Sequence, residues 1–345
     1  MTWMALKMLG CLALLMFGMK SMSEALQKMA GPQLRHVLGT MTTNRFTGML
    51  TGMFVTASVQ SSTATTLMTV SFVNAGLLTL VQAISIILGA HIGTTVTAWI
   101  MSLGFSFNIA NFVYPAFFVG IILVYLNKKR VLGEFLFGVG FLFLGLTTLK
   151  ETGFTVVQDP AASASISSFF AHFSDPNFFN SLFFLVMGTV LTLCVQSSAA
   201  IMAITLILCS SGVLPIYQGI ALVMGENIGT TVTSNLAALS ASTQARRAAL
   251  AHMLFNVFGV VWVLIIFHPF VNMVCHVVGF DPNFVPQTEE EIAHASVRVT
   301  YALSGFHTAF NLCNVMLLIW FIKPMEKLIC KIIKEKEDGD RKSVV

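Results

Sequence analysis

Apolar residues in this chain fall into long continuous runs, which predict helices and not alternating strands. Residues 4–19 form the first run, and 21–40 continue as an amphipathic segment carrying Lys28 and Arg35, suited to a membrane–water interface. Residues 45–70 are apolar but broken by Ser, Thr, Gln and Gly, and 77–103 are interrupted at 89–95. Two uninterrupted spans follow at 109–126 and 131–149, then a Pro- and Ser-containing loop at 151–177. The pattern then recurs: 178–211 is apolar with a polar break, 214–239 is interrupted at 225–231, and 248–267 is a span. A polar loop at 268–295 precedes the last span, 297–322, which Lys323-Pro324 closes before a charged tail. A helix needs about 20 apolar residues to cross a bilayer, and an outer-membrane barrel would show short alternating strands instead. The expected fold is all-α and polytopic.

Composition supports this. Of 345 residues, 56% are apolar and 10% charged, whereas a soluble domain carries about 25% charged residues. That disfavours a soluble enzyme, a nucleic-acid binder and a disordered chain. The net charge of +4 matters less than its placement. Lys20, Lys28, Arg35 and Arg45 flank the amphipathic segment; Lys128, Lys129 and Arg130 share one short loop; Arg246 and Arg247 share another; Lys323, Lys327, Lys331 and Lys334 follow the last span. The positive-inside rule puts these four clusters in the cytoplasm of a cell-membrane protein, with the N-terminus outside and the C-terminus inside. The sidedness closes only if each half contains one segment that enters and leaves on the same face, and the halves then enter from opposite sides. The run at 3–18 has the length of a signal-peptide core, but no small-x-small site follows it, so a retained first span is expected. The six cysteines form no Cys-x-x-Cys pair and read as small apolar residues. No Walker loop or nucleophile triad is present, which argues against an enzyme.

The halves also match each other. Residues 60–69 read QSSTATTLMT and 196–205 read QSSAAIMAIT; 89–97 read GAHIGTTVT and 225–233 read GENIGTTVT. Both pairs are 136 residues apart, as are Gly52/Gly188, Thr56/Thr192, Gly76/Gly212 and Gln82/Gln218. A weaker match sets Phe17-Gly18 against Leu144-Gly145, at an offset of 127. Copies of opposite topology make an inverted repeat, a construction of secondary transporters whose sites lie near the midplane at discontinuous helices. The expected units are a first repeat at 1–130 (with the first span and amphipathic helix), a second at 131–270, an outer loop and last span at 271–325, and a tail at 326–345. Each repeat is expected to hold a re-entrant helical hairpin and a broken helix.

Gln60-Ser61-Ser62-Thr63 and Gln196-Ser197-Ser198 fall at the hairpin turns. A turn there exposes the N-terminus of the second half-helix, whose free N–H groups and positive dipole end suit an anion. Ser adds hydroxyl donors and Gln adds both donor and acceptor, so two facing tips would hold a small tetrahedral oxyanion without Arg. The same Ser and Thr residues can also serve simply as interhelical glue. Breaks at 89–97 and 225–233 would free carbonyls which, with Thr94, Thr95, Thr230, Thr231 and Asn227 oxygens, make hard ligands for a small cation such as Na+. Glu226 is the sole acid between Asp175 and Asp281; at membrane depth it would neutralise a cation or carry a proton. His252-x-x-Phe255-Asn256 and His307-x-x-Phe310-Asn311 put His and Asn on one helix face, equally suited to an interhelical bond or to the site.

The paired QSS and G-x-x-I-G-T-T motifs resemble those of the type II sodium–phosphate cotransporter family (phosphate:Na+ symporters), bacterial branch, over about residues 4–322. The resemblance implies Na+-driven symport of inorganic phosphate by alternating access, with no cofactor beyond Na+ as coupling ion; the alternative is an uncoupled channel or exporter for phosphate or a related oxyanion. It assigns phosphate to Gln60, Ser61, Ser62, Gln196, Ser197 and Ser198. It assigns Na+ to the surroundings of Thr63, Thr65, Asn227, Thr230 and Thr231, with Thr94 and Thr95 as partners in the first repeat. A homo-oligomer is left open. Three departures stand out. His91 replaces the motif's Asn in the first repeat, opening a proton-sensitive position. Positions 199 and 200 are both Ala, so the second tip has fewer hydroxyls. The segment after Glu326 is too short for the helical regulatory domain some relatives carry. His91 and Glu226 are the candidate coupling residues.

Overall fold

A computed structural model describes residues 2–107, 110–173, 175, 177–283 and 288–335. Among the described residues the chain is all α-helix, apart from a 3-10 turn at Asn127–Lys129. Five helices among the described residues are long and apolar enough to cross a membrane: α1 (Thr2–Thr40), over its stretch Thr2–Gly31, α4 (Leu80–Ser106), α6 (Arg130–Gln158), α8 (Phe178–Val195) and α11 (Thr243–Ile265). The pair α13 (Glu289–Leu318) and α14 (Ile322–Ile332), bent by 86° at the break between them, makes a sixth if counted as one span.

Between these lie α2 (Arg45–Val59), α3 (Ser62–Asn74), α5 (Ala110–Tyr125), α7 (Pro160–Ala171), α9 (Ser198–Ser210), α10 (Ile216–Ala237) and α12 (Phe267–Val278). The internal repeat is carried into the helix boundaries. Adding 136 to the first residues of α3 and α4 gives those of α9 and α10, and α3 and α9 also end in register. Gly76 and Gly212 both take a left-handed conformation, φ +72° and +74°, which lets the chain turn from α3 into α4 and from α9 into α10.

Glycine brings the long helices into backbone contact. A methyl group on Gly89 would lie 1.7 Å from the Met49 carbonyl oxygen, and one on Gly225 would lie 2.0 Å from that of Leu185. Thus α4 lies on α2, and α10 on α8, at the same repeat positions. Gly18 and Gly145, the weaker match, form the seam between α1 and α6, where a methyl would meet the Leu142 and Leu15 amides at 2.1 and 2.4 Å. Small residues let helix backbones approach in this way inside a membrane.

Several expectations change. The breaks expected within 89–95 and 225–231 are absent: α4 and α10 run through them without interruption. Glycine permits unwinding but does not force it, and here it serves close approach. Residues 4–40 form one continuous helix and not a span followed by a separate interfacial helix. At about 1.5 Å per residue it is far longer than a ~30 Å hydrocarbon core. The run at 109–126 yields only the 16-residue α5, with Pro115 inside it.

Both expected loops contain helix. Asp159 caps α7 by accepting from the Ala162 N–H, with Pro160 in the first turn, while Thr288 and Glu291 form a capping box at the start of α13. Pro324 does not end the last helix; it sits in the first turn of α14, where no intrahelical N–H bond is lost. Residues 336–345 of the expected tail lie outside the described residues.

Candidate functional site

The helix pairs α2–α3 and α8–α9 each break at a glutamine. Gln60 (φ 57°) and Gln196 (φ 55°) are the positive-φ residues other than glycine among the described residues. The left-handed conformation costs an L-residue about 1–2 kcal/mol, so a side chain there needs a reason. Each glutamine ends one helix, with its N–H donating to the carbonyl of Thr56 (2.7 Å) or Thr192 (2.8 Å). The following serine then caps the next helix: Ser61 Oγ accepts from the Ala64 N–H (3.1 Å) and Ser197 Oγ from the Ala200 N–H (3.2 Å). The N–H groups of Ser62 and Thr63, and of Ser198 and Ala199, keep the unpaired status of a helix start.

Both tips open into one cavity of about 300 Å³. All six residues expected to hold the anion line it: Gln60, Ser61, Ser62, Gln196, Ser197 and Ser198. Of the residues expected around a cation, Thr63, Thr94, Asn227 and Thr230 line it too. Thr65, Thr95 and Thr231 do not; they are buried, with hydroxyls donating to the carbonyls of Ser61 (3.2 Å), Ile92 (2.8 Å) and Ile228 (2.7 Å). Thr94 and Thr230 donate to Ala90 and Glu226 carbonyls, so the hydroxyl lone pairs, not freed carbonyls, are what they offer the cavity.

The two tips are not equivalent. Thr97 donates to Gln60 Oε1 at 3.0 Å, and Gln60 Nε2 donates to the Ala57 carbonyl. Gln196 is exposed to the cavity, and its counterpart Thr233 donates to its own helix at the Thr230 carbonyl. Thr97 and Thr233 were missed as site residues, although they obey the 136-residue offset and lie two and three residues beyond the G-x-x-I-G-T-T threonines.

Glu226 and His91 line the cavity, with Glu226 only 2% exposed and its Oε1 accepting from Thr205 at 3.2 Å. Both His-x-x-Phe-Asn helices reach the site as well: His252 of α11, and His307 and Asn311 of α13, line it. His307 Nε2 lies 3.1 Å from Asn227 Oδ1. His91 stacks on Phe255 (ring centroids 4.0 Å apart) and sits 4.8 Å from His252. Among the described lining residues there is one carboxylate and no Lys or Arg. No group of three His, Cys, Asp or Glu residues suited to a metal occurs among the described residues. Positive potential at the tips therefore comes from helix starts and polar hydrogens.

A polar cavity between paired helix tips, among helices of membrane-spanning length, defines the class: an all-α, multi-spanning membrane protein with a polar cavity between its helices. The family model described as Na+/Pi-cotransporter matches residues 14–151 and 160–280, and the chain belongs to that family. An uncharacterised Bacillus subtilis protein, YqeW, is 28% identical over 328 residues, covering 94% of this chain and 97% of YqeW. The Escherichia coli protein named "Putative inorganic phosphate export protein YjbB" is 27% identical over 339 residues, and the chain spans only 57% of its length. Rat sodium-dependent phosphate transport protein 2A is 38% identical over 98 residues, 28% of this chain and 15% of that protein. No solved structure matches the chain.

Proposed function

We propose that the chain is a secondary transporter moving inorganic phosphate together with Na+ by alternating access. The observation that carries this is the meeting of two Gln-Ser-Ser tips, 136 residues apart in sequence, in one cavity. Two helix starts with Ser hydroxyls and Gln amides supply donors for a tetrahedral oxyanion. Gln60, Ser61, Ser62, Gln196, Ser197 and Ser198 hold the phosphate. Thr63, Thr94, Asn227 and Thr230 offer oxygens to Na+, with the Glu226 carboxylate as counter-charge; Thr65, Thr95 and Thr231 support them through their backbone bonds. Na+ is the coupling ion, and no cofactor is needed.

Residues 1–130 and 131–270 form the inverted repeats, entering the bilayer from opposite faces, with residues 271–325 as the outer loop and last span and 326–345 as a cytoplasmic tail. The N-terminus lies outside. Rocking of one repeat against the other exposes the cavity to each side in turn. The E. coli relative is named for export, which favours a second reading: a route for phosphate leaving the cell, uncoupled from Na+.

Uptake of ³²P-phosphate into proteoliposomes separates the two readings. Accumulation above the external concentration under an inward Na+ gradient, lost when K+ replaces Na+, supports symport. Equilibration alone, indifferent to Na+, supports the uncoupled route and rejects symport.

A further inference from the structure

The repeat offset pairs His91 with Asn227, and each packs against a histidine of a later helix. Asn227 on α10 meets His307 of α13 at 3.1 Å, a bond between an amide oxygen and a ring nitrogen. His91 on α4 meets His252 of α11 with ring centroids 4.8 Å apart. The second repeat thus sets an amide against an imidazole, and the first repeat sets two imidazoles together. His91 is 6% exposed and His252 is 2% exposed, and His91 Nε2 and His252 Nδ1 have no hydrogen-bond partner. Both line the cavity.

Other charged or titratable groups facing His91 are few. His307 approaches from α13, and Glu226 faces the cavity from α10. Among the described residues, those that line the cavity from α1, α3, α8, α9 and the two tips are uncharged, such as Met19, Gln60 and Ser197. The charge balance then matters. A phosphate dianion carries two negative charges, and the Glu226 carboxylate and the Na+ proposed beside it offset each other. Two helix starts contribute about half a positive charge each. About one negative charge remains, and no Lys or Arg among the described lining residues offsets it. Imidazole is the side chain whose ordinary titration lies near neutrality.

We propose that His91 and His252 form a proton site, so that the cavity takes up one proton from water, held on the imidazole pair, with each oxyanion bound. This deepens the anion reading of the cavity and rests on it. Two neighbouring imidazoles accept one proton and not two, because like charges at this separation repel. The repeat-related position holds no imidazole pair, because Asn227 and not a second histidine faces His307 there.

Calorimetry of phosphate binding to the full chain in Na+, in buffers of different ionisation heat, counts the protons taken up. Differences between variants cancel the titration of free phosphate itself. Wild type takes up close to one proton more than His91→Asn, which recreates the amide of the second repeat, and more than His252→Asn. Between those variants and wild type the slope of affinity against pH differs by up to about tenfold per pH unit. The second variant decides the matter if the first does not fold. Equal proton uptake in wild type and a folded histidine variant overturns the proposal. So does loss of the uptake in Glu226→Gln with both histidine variants unaffected. Absence of phosphate binding by wild type at every pH overturns the anion reading, and this proposal with it, whereas binding without histidine-dependent uptake overturns only the proposal.

Discussion

Replacing Gly89 by Ala tests how tightly α2 is registered against α4. The added methyl would sit 1.7 Å from the Met49 carbonyl oxygen and 2.8 Å from the Met53 nitrogen. Such atoms rarely approach within 3.0 Å, so α2 and α4 must separate locally by at least about 1.3 Å. The obstacle is backbone, which cannot swing aside as a side-chain tip can. Overpacking of this kind costs about 1–3 kcal/mol, against a gain of up to about 1 kcal/mol from helix propensity. The net is destabilising.

Functionally, the displacement falls between α2, which ends at Gln60, and α4, which carries His91 and Thr94. A misplacement of about 1 Å at a binding constellation costs on the order of 100-fold. Phosphate uptake in proteoliposomes is expected to fall by about that factor, and thermal unfolding in detergent to shift downward. Gly225→Ala is expected to behave alike, since its methyl would lie 2.0 Å from the Leu185 carbonyl oxygen. Gly10→Ala, where nothing lies within 4 Å, is the control and stays neutral or stabilising. Wild-type uptake and stability in Gly89→Ala would refute the claim that this contact sets the site.

Three further outcomes are expected. Gln196→Gly relieves the left-handed backbone at φ 55° and so keeps or raises thermal stability by up to about 1 kcal/mol, yet abolishes phosphate uptake because the cavity-facing amide is gone. Thr97→Val removes the 3.0 Å bond to Gln60 and costs about 0.5–1.5 kcal/mol; it weakens phosphate affinity measured by calorimetry while thermal melts show a folded protein. Arg247→Ala removes the 2.9 Å bond to the Ile333 carbonyl, worth about 1.5–3 kcal/mol as a bond to a charged group, and limited proteolysis then cleaves after α14 faster than in wild type.

The tips were legible because their signal is local and duplicated. Gln-Ser-Ser at a fixed offset, each within an apolar run, marks a turn that no soluble loop explains, and all six residues reached the cavity. The His-x-x-Phe-Asn runs were visible, but their destination was not, since it depends on how α11 and α13 pack against the repeats. The continuity of α4 and α10 was misread because glycine has two uses, conformational freedom and close approach, and Gly89, Gly93, Gly225 and Gly229 serve the second. Composition hid α7 and the start of α13 inside segments that looked like loops, although Asp159-Pro160 and Thr288-x-x-Glu291 are helix-start signals in their own right.

The most direct test of the joint site is equilibrium binding of ³²P-phosphate to the purified chain in Na+, comparing wild type with Gln60→Ala and Gln196→Ala. A site shared by both tips predicts one phosphate per wild-type chain and its loss in either variant, with both variants still folded. Two phosphates per chain, or undiminished binding in one of the two variants, would contradict it.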